Sequence, residues 1–437
     1  MDQFFKLKER GSSVGTEVRA GLTTFLAMAY IIAVNPGLLE AAGIPSVAAV
    51  TATCLGAGIM TICMGLFANR PLACASGMGI NATFAFVLAT LPGGDWRTAS
   101  AIIFVEGVAI LLLVLCGLRE AIMDAIPVSL RHAISAGLGL FIAMIGLKDG
   151  GIIVANESTM VALGTVCDPM FIMGLVSIVA TVVLHALKVP GALLLGIIVA
   201  VLAGIPLGLT QAPAGLVSGL GFSTFGAPFQ AGEDGTMALV KVLTDPTMLV
   251  LAFSLMMSDF FDTMGTAMAV AKQGEFLNED GTVEDIKPIL IVDSAAAAMG
   301  GVFGSSSLTT FVESSSGAAD GGRSGLTSIT TGVLFILAAF FAPVIGVING
   351  AATCGALVFV GFLMMSEITE IDWTDLLDGF PAFLIVAGVS FTYSISNGIG
   401  LGFIAYVIVA AVTGRLSRVK PLMWVAALAF LVYFLML

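Results

Sequence analysis

Apolar residues in this chain come in stretches of about twenty, cut by short polar or Gly/Pro-rich turns. Such a stretch is long enough to cross the hydrocarbon of a bilayer as a helix. Reading the runs between breaks predicts spans over 20–39, 47–68, 72–90, 98–117, 121–147, 169–187 and 189–209. A connection of low charge, rich in Gly and Pro, follows over 210–245 and is expected outside the cytoplasm. Seven further spans are expected over 246–271, 288–303, 306–318, 324–346, 350–368, 379–394 and 398–413. The C-terminal piece, 414–437, is a basic turn and then an extra apolar stretch from 421, barely long enough to span. Residues 1–19 are polar and mixed in charge, without a short apolar core before a small-residue cleavage site. They read as a cytoplasmic lead into the first span and not as a cleaved signal.

Composition places the chain in lipid. It is 58% hydrophobic and 11% charged, with mean hydropathy +1.08, far from the balance of a soluble domain. The bilayer is the expected partner, and the net charge of −12 points to no nucleic acid. The placement of the positive charges tests the span count. With the N-terminus cytoplasmic, that side holds Lys6, Lys8, Arg10, Arg19, Arg70, Arg119, Arg131, Lys188, Lys272, Lys287, Arg323, Arg415, Arg418 and Lys420. Arg97, Lys148 and Lys241 fall on the other side, so fourteen of seventeen are inside, as the positive-inside rule expects. Reading 379–413 as one helix would export Arg415, Arg418 and Lys420, so a break is placed at 394–398. Seven spans per half is an odd number, so the halves face oppositely, the plan of inverted-repeat transporters. The expected fold is an all-α membrane protein of fourteen segments, with repeats over 20–209 and 246–413. Segment 3, with ASGMGIN at 75–81, and segment 10, with GSSSLTTFVE at 304–313, are both short and rich in small residues. Paired broken spans in corresponding positions of two halves point to a transporter's binding site.

A carboxylate in hydrocarbon costs about 2.5–3.5 kcal/mol on insertion scales, so each one inside a span is a candidate for chemistry. Asp259 and Asp262 stand three residues apart in segment 8, which puts them on one helix face with Cβ atoms roughly 5–6 Å apart. Two acids this close in low dielectric resist being charged together. The pair suits a proton carrier; the plainer reading is a cap on a neighbouring broken helix. Glu313 follows Thr309 and Thr310 in the expected helical half of segment 10. With 304–308 extended, the helix start offers backbone N–H groups to a planar polar ligand, and Glu313 accepts that ligand's ring protons. A carboxylate neutralised by surrounding serines is the alternative. Asn81 both donates and accepts, as the mixed edge of a planar polar ligand requires, and a helix–helix hydrogen bond competes for it. Thr310, and Thr24 with its neighbours Thr23 and Phe25, are candidates for the pocket wall. Phe260 and Phe261 flank the acids, for stacking or for packing. Asp293 and Glu106 are read as coupling or packing residues. The acids Glu367, Glu370, Asp372, Asp375 and Asp378 read as a solvated cytoplasmic helix. The six cysteines form no CxxC pair; five lie in apolar runs and Cys167, beside Asp168 and Pro169, sits at a span edge, and buried structural thiols are the plain reading. With His132 and His185 the only histidines, no metal centre is expected.

At these motifs the chain resembles the purine-permease (AzgA-like) branch of the nucleobase–cation symporter family, of uracil-permease-like fold, nearly end to end. The stretches that carry the resemblance are AGLTTFLAMAY at 20–30, GMGINA at 77–82, SAGLGLFI at 135–142, DFFDTMG at 259–265 and TTFVES at 309–314. The resemblance implies a core domain over 20–117 and 246–346 and a gate domain over 121–209 and 350–413. It also implies short antiparallel strands in segments 3 and 10 that meet at the substrate. Asn81, Asp259 and Glu313 then contact the base, and Asp262 is tied to transport. Segment 3 departs slightly, opening LACAS at 72–76 where an Ala-Pro pair often precedes the GMG. The implied function is proton-coupled import of a purine nucleobase (adenine, guanine or hypoxanthine) by alternating access. The implied setting is a homodimer in the cell membrane, with the proton as coupling ion and no other cofactor. Facilitated diffusion and an anion transporter of the same fold are the alternatives within transport. An anion carrier would prefer neutral or basic groups at the ends of the broken segments. An intramembrane aspartyl protease needs two aspartates that share a proton from different helices, whereas Asp259 and Asp262 share one. No enzymatic activity is expected.

Overall fold

Inside a bilayer every backbone N–H and C=O has to be satisfied within the protein, so apolar runs become helices. The computed structural model describes residues 2–86, 89, 95–117, 126–189, 191–213, 215–232, 235–276 and 283–436. Among them, the side chains of 2, 3, 86, 257, 258, 260–262, 264, 265, 268, 269, 272, 396, 433 and 436 lie outside the description. The first half comprises α1 (Val14–Met28), α2 (Ile31–Ala41), α3 (Ser46–Cys63), β1 (Cys74–Ser76), α4 (Met78–Phe86) and α5 (Trp96–Leu115). It continues with α6 (Val128–Asp149), the strands β2 (Ile153–Asn156) and β3 (Met160–Leu163), α7 (Pro169–Ala186) and α8 (Ala192–Gly204). The second half comprises α9 (Ala238–Thr244), α10 (Pro246–Gln273), α11 (Ile286–Phe303), β4 (Leu308–Thr310), α12 (Ser314–Ala319) and α13 (Gly325–Ala338). It ends with α14 (Gly350–Met365), α15 (Leu376–Phe391), α16 (Ile395–Val412) and α17 (Pro421–Met436).

Eight of the described helical stretches are long and apolar enough to span, and the bent pair α9–α10 makes a ninth. Four shorter apolar helices, among them 192–204 and 376–391, accompany them. Side-chain caps explain many of the starts: Asp95, Asp168, Asp245, Ser324, Asn349, Asp375 and Ser394 each accept from a backbone N–H of the first turn. Pro169 and Pro246 fill the position where a missing N–H costs nothing.

Several boundaries differ from the expectation. The lead 1–19 is not all polar surface, because α1 begins at Val14 behind the Ser13 cap. Its Glu17 is fully buried. That carboxylate accepts from the N–H groups of Arg323 (3.0 Å) and Ser324 (3.2 Å) and from the Thr327 hydroxyl (2.6 Å), so it anchors the start of α13. The connection 210–245 ends in α9, which meets α10 at 95°. The hairpin β2–β3 was not expected; its register pairs Ile153 with Leu163. The acids at 367–378 are not on one helix: a 3₁₀ turn ends at Glu370 and Asp375 caps α15. The first residues of the fifth span, 121–125, lie outside the described residues.

Packing follows two groupings. Helix α13 lies against α1 and α3, and α5 against α11 and α10; elsewhere α6 packs on α14 and α15, α7 on α8 and α14, and α15 on α16. Small residues allow these approaches, because between helices in lipid close packing replaces the hydrophobic drive. A Cβ on Gly107 of α5 would lie 2.1 Å from the Ala298 backbone nitrogen of α11, so these two helices touch backbone to backbone.

Candidate functional site

Two broken segments meet at the centre of the first grouping. β1 and β4 pair antiparallel, with Cys74 opposite Thr310, Ala75 opposite Thr309 and Ser76 opposite Leu308. The ladder extends at both ends, Gly77 N–H donating to the Ser307 carbonyl (3.0 Å) and Phe311 N–H to the Ala73 carbonyl (2.9 Å). Three residues per strand cannot hold a sheet alone, and side chains from neighbouring helices complete it. Thr61 of α3 donates to the Cys74 carbonyl and accepts from the Cys74 N–H, each at 2.9 Å. Asn35 of α2 donates to Thr53 (2.8 Å), to the Ser76 hydroxyl (3.1 Å) and to the Ser305 carbonyl (3.2 Å).

Asp293, two turns into α11, fixes the other strand. It accepts from the Thr310 N–H (2.9 Å), the Thr309 hydroxyl (3.3 Å) and the Thr263 hydroxyl (2.6 Å), joining β4 to α10. This choice between coupling and packing was open in the sequence. The geometry makes Asp293 the organiser of the crossing.

The candidate residues gather around this frame. Asn81, on the first turns of α4, donates to the Ser76 carbonyl at the end of β1 (3.1 Å). It is fully buried, and its Oδ1 has no partner among the described residues. Asp259 is buried on α10, one turn before Thr263, whose hydroxyl also bonds the Asp259 carbonyl (2.9 Å). Asp262 lies on the same helix, with its side chain outside the described residues, as are those of Phe260 and Phe261. Thr310 is in β4 with its Oγ1 unpartnered among the described residues. Glu313 is not inside the helical half of segment 10 but at the residue just before α12. Its Oε1 accepts from the Tyr30 hydroxyl at 2.7 Å. Tyr30 stands at the break between α1 and α2, fully buried. Its pairing with Glu313 links segments 1 and 10, and no feature of the residues around Tyr30 in the sequence announces it. Thr24 packs on α12, where a Cβ on Gly317 would lie 2.0 Å from its Oγ1. Its hydroxyl too is buried without a partner among the described residues.

The expectation of buried cysteines is corrected at two positions. Cys54, Cys74 and Cys354 are buried, but Cys116, at the end of α5, and Cys167, before α7, are exposed.

A helical body built for lipid, with two segments broken at its middle around orphaned amide and hydroxyl oxygens, defines a membrane transporter. The fold is similar to the transmembrane domain of a cyanobacterium bicarbonate transporter, BicA, with a TM-score of 0.61 at 16% identity over 90% of this chain and 97% of that one. The family follows from sequence: a model described as Permease family, Xan_ur_permease, matches residues 15–401. The chain is 38% identical to the adenine permease AdeP of Escherichia coli over 99% of its length and 95% of that protein. It is 39% identical to the guanine/hypoxanthine permease PbuO of Bacillus subtilis over 98% of its length and 99% of that protein. The chain belongs to this permease family, whose named relatives are transporters and not enzymes.

Proposed function

We propose that this protein imports a purine nucleobase (adenine, guanine or hypoxanthine) together with a proton, by alternating access across the cell membrane. The observation that carries the reading is the crossing of β1 and β4, bordered by the unpartnered oxygens of Asn81 and Thr310 and by the Tyr30–Glu313 pair. A purine presents ring N–H donors and ring nitrogens in one plane, and a site of one amide, one carboxylate and strand backbone matches that mixture. The names of relatives at 38–39% identity, adenine permease and guanine/hypoxanthine permease, support the same substrate class. Asn81, Asp259, Glu313 and Thr310 contact the base in this reading, and Thr24 backs the site from segment 1. Asp262, with Asp259 and Glu313, carries the proton, which is the only coupling agent invoked. The base is largely uncharged, so the proton supplies the drive, roughly 2.3 kcal/mol per 100 mV of potential.

Fourteen segments in two inverted repeats, a core of 20–117 and 246–346 and a gate of 121–209 and 350–413 belong to the same proposal. So do a homodimer and a cytoplasmic N-terminus. The two packing groups of helices support the division into core and gate. The test is uptake of radiolabelled adenine, guanine, hypoxanthine and uracil in cells that lack their own nucleobase permeases, with and without protonophore, beside Glu313→Gln. Purine uptake that collapses with protonophore and in the Glu313→Gln variant is expected. Uptake of none of the four overturns the substrate class, and uptake indifferent to protonophore replaces symport with facilitated diffusion.

A further inference from the structure

Glu106 stands apart from the crossing. It sits in the middle of α5, fully buried, and neither carboxyl oxygen has a hydrogen-bond partner among the described residues. It lines a cleft of about 440 Å³ between α5 and α10 whose other walls are apolar, among them Val105, Ala109, Leu113, Phe253 and Met256. The neighbouring Gly107 presses α5 onto the α11 backbone at Ala298, so α5 cannot turn to carry Glu106 elsewhere. Two acids bear on it electrostatically: Asp259, three residues beyond Met256 on α10, and Asp293 on α11. Of the other elements packed on α5, α9 carries Lys241 and α4 carries no ionisable side chain; the Cys116 thiol lines the same cleft. Asp293 already accepts three hydrogen bonds, whereas Glu106 accepts none.

An ionised carboxylate facing an apolar wall without a partner is among the costliest groups a protein can hold. Its place between the apolar cleft and the buried acids calls for a role in which the group is neutral for part of a cycle. We propose that Glu106 is a proton-binding site of the transport cycle, standing behind the substrate-facing carboxylates. In that cycle a hydronium ion gives its proton to the Glu106 carboxylate, one O–H bond forming as another breaks and water is left, and release reverses it. This role rests on the proposed proton-coupled transport.

Glu106→Gln keeps the volume and removes the titration. In proteoliposomes it is expected to retain exchange of labelled for unlabelled purine, within about twofold, while gradient-driven accumulation falls tenfold or more and loses its dependence on external pH. Accumulation with the unmodified protein's pH profile overturns the role. Should the Gln variant not reach the membrane, Glu106→Asp takes its place; its expected result is a shifted pH profile with exchange intact, and an unshifted profile overturns the role. A second arm needs no substrate. Dicyclohexylcarbodiimide, a lipophilic reagent, adds to a protonated carboxyl and leaves a stable N-acylurea that mass spectrometry locates. Modification at Glu106 that declines as pH rises is expected, and an unmodified Glu106 at every pH overturns the role. Absence of purine exchange by the unmodified protein is instead the failure of the transport reading, and the labelling arm still reports on Glu106.

Discussion

The Tyr30 hydroxyl on Glu313 shows how one atom joins two distant parts of the chain, 283 residues apart. A hydrogen bond to a charged group is worth about 1.5–3 kcal/mol, and 1.4 kcal/mol is a factor of ten in affinity. Tyr30→Phe removes only that hydroxyl, so the KM for purine uptake is expected to rise about tenfold or more while expression is unchanged. Thr24 gives a contrasting case. Its buried hydroxyl has no partner among the described residues, and replacing such a group by an apolar one of the same shape is nearly neutral for stability. Thr24→Val should therefore leave thermal unfolding in detergent where it is and raise the KM. An unchanged KM with unchanged stability would mean that Thr24 only packs on Gly317.

At the scale of elements, the broken segments work because other helices supply what short strands lack. β1 is held by Thr61 and Asn35, and β4 by Asp293. Helix contacts elsewhere depend on missing side chains. Gly107→Leu forces a side chain into the Ala298 backbone, and overpacking of this kind costs typically 1–3 kcal/mol, more where backbone must move. Its melting temperature and membrane yield are expected to fall. Gly15→Leu on α1, with nothing within 4 Å of its position, is the control that should leave both unchanged.

At the scale of the whole molecule, several ion pairs join segments that the lysine and arginine count assigns to one side. Asp375 pairs with Arg415 and Arg418, Glu367 takes a 2.6 Å contact from His132, and Arg70 pairs with Glu284 and Asp285. A hydrogen bond from the Leu377 N–H, with the hydrogen bond and charge of Arg415 and the charge of Arg418, holds the Asp375 carboxyl below its usual range against the opposing effect of desolvation. These clusters lie on the side assigned to the cytoplasm by the lysine and arginine count. In a variant with all six cysteines replaced, Glu157→Cys on the exposed β2–β3 turn is expected to react with a membrane-impermeant maleimide applied outside intact cells. Thr374→Cys, also exposed, should react only after the membrane is opened. The reverse pattern would invert the orientation.

The sequence by itself determined the solvent, the broad run of helices and the acids worth attention. Hydropathy is a local property, so a run of about twenty apolar residues is legible without knowing what lies beside it. A carboxylate inside such a run stands out for the same reason, which is how Asp259, Asp293, Glu106 and Glu313 were visible. Only the tertiary structure decided what each touches. The burial of Glu17 within an apparently polar lead depends on α13, some 300 residues away. The exposure of Cys116 depends on the cleft between α5 and α10. The pairing of Tyr30 with Glu313 and the clamp of Asp293 on β4 are contacts between segments remote in sequence. A periodic pattern fixes which way a helix is greasy, but partners across a packed interface depend on the geometry of all the helices at once.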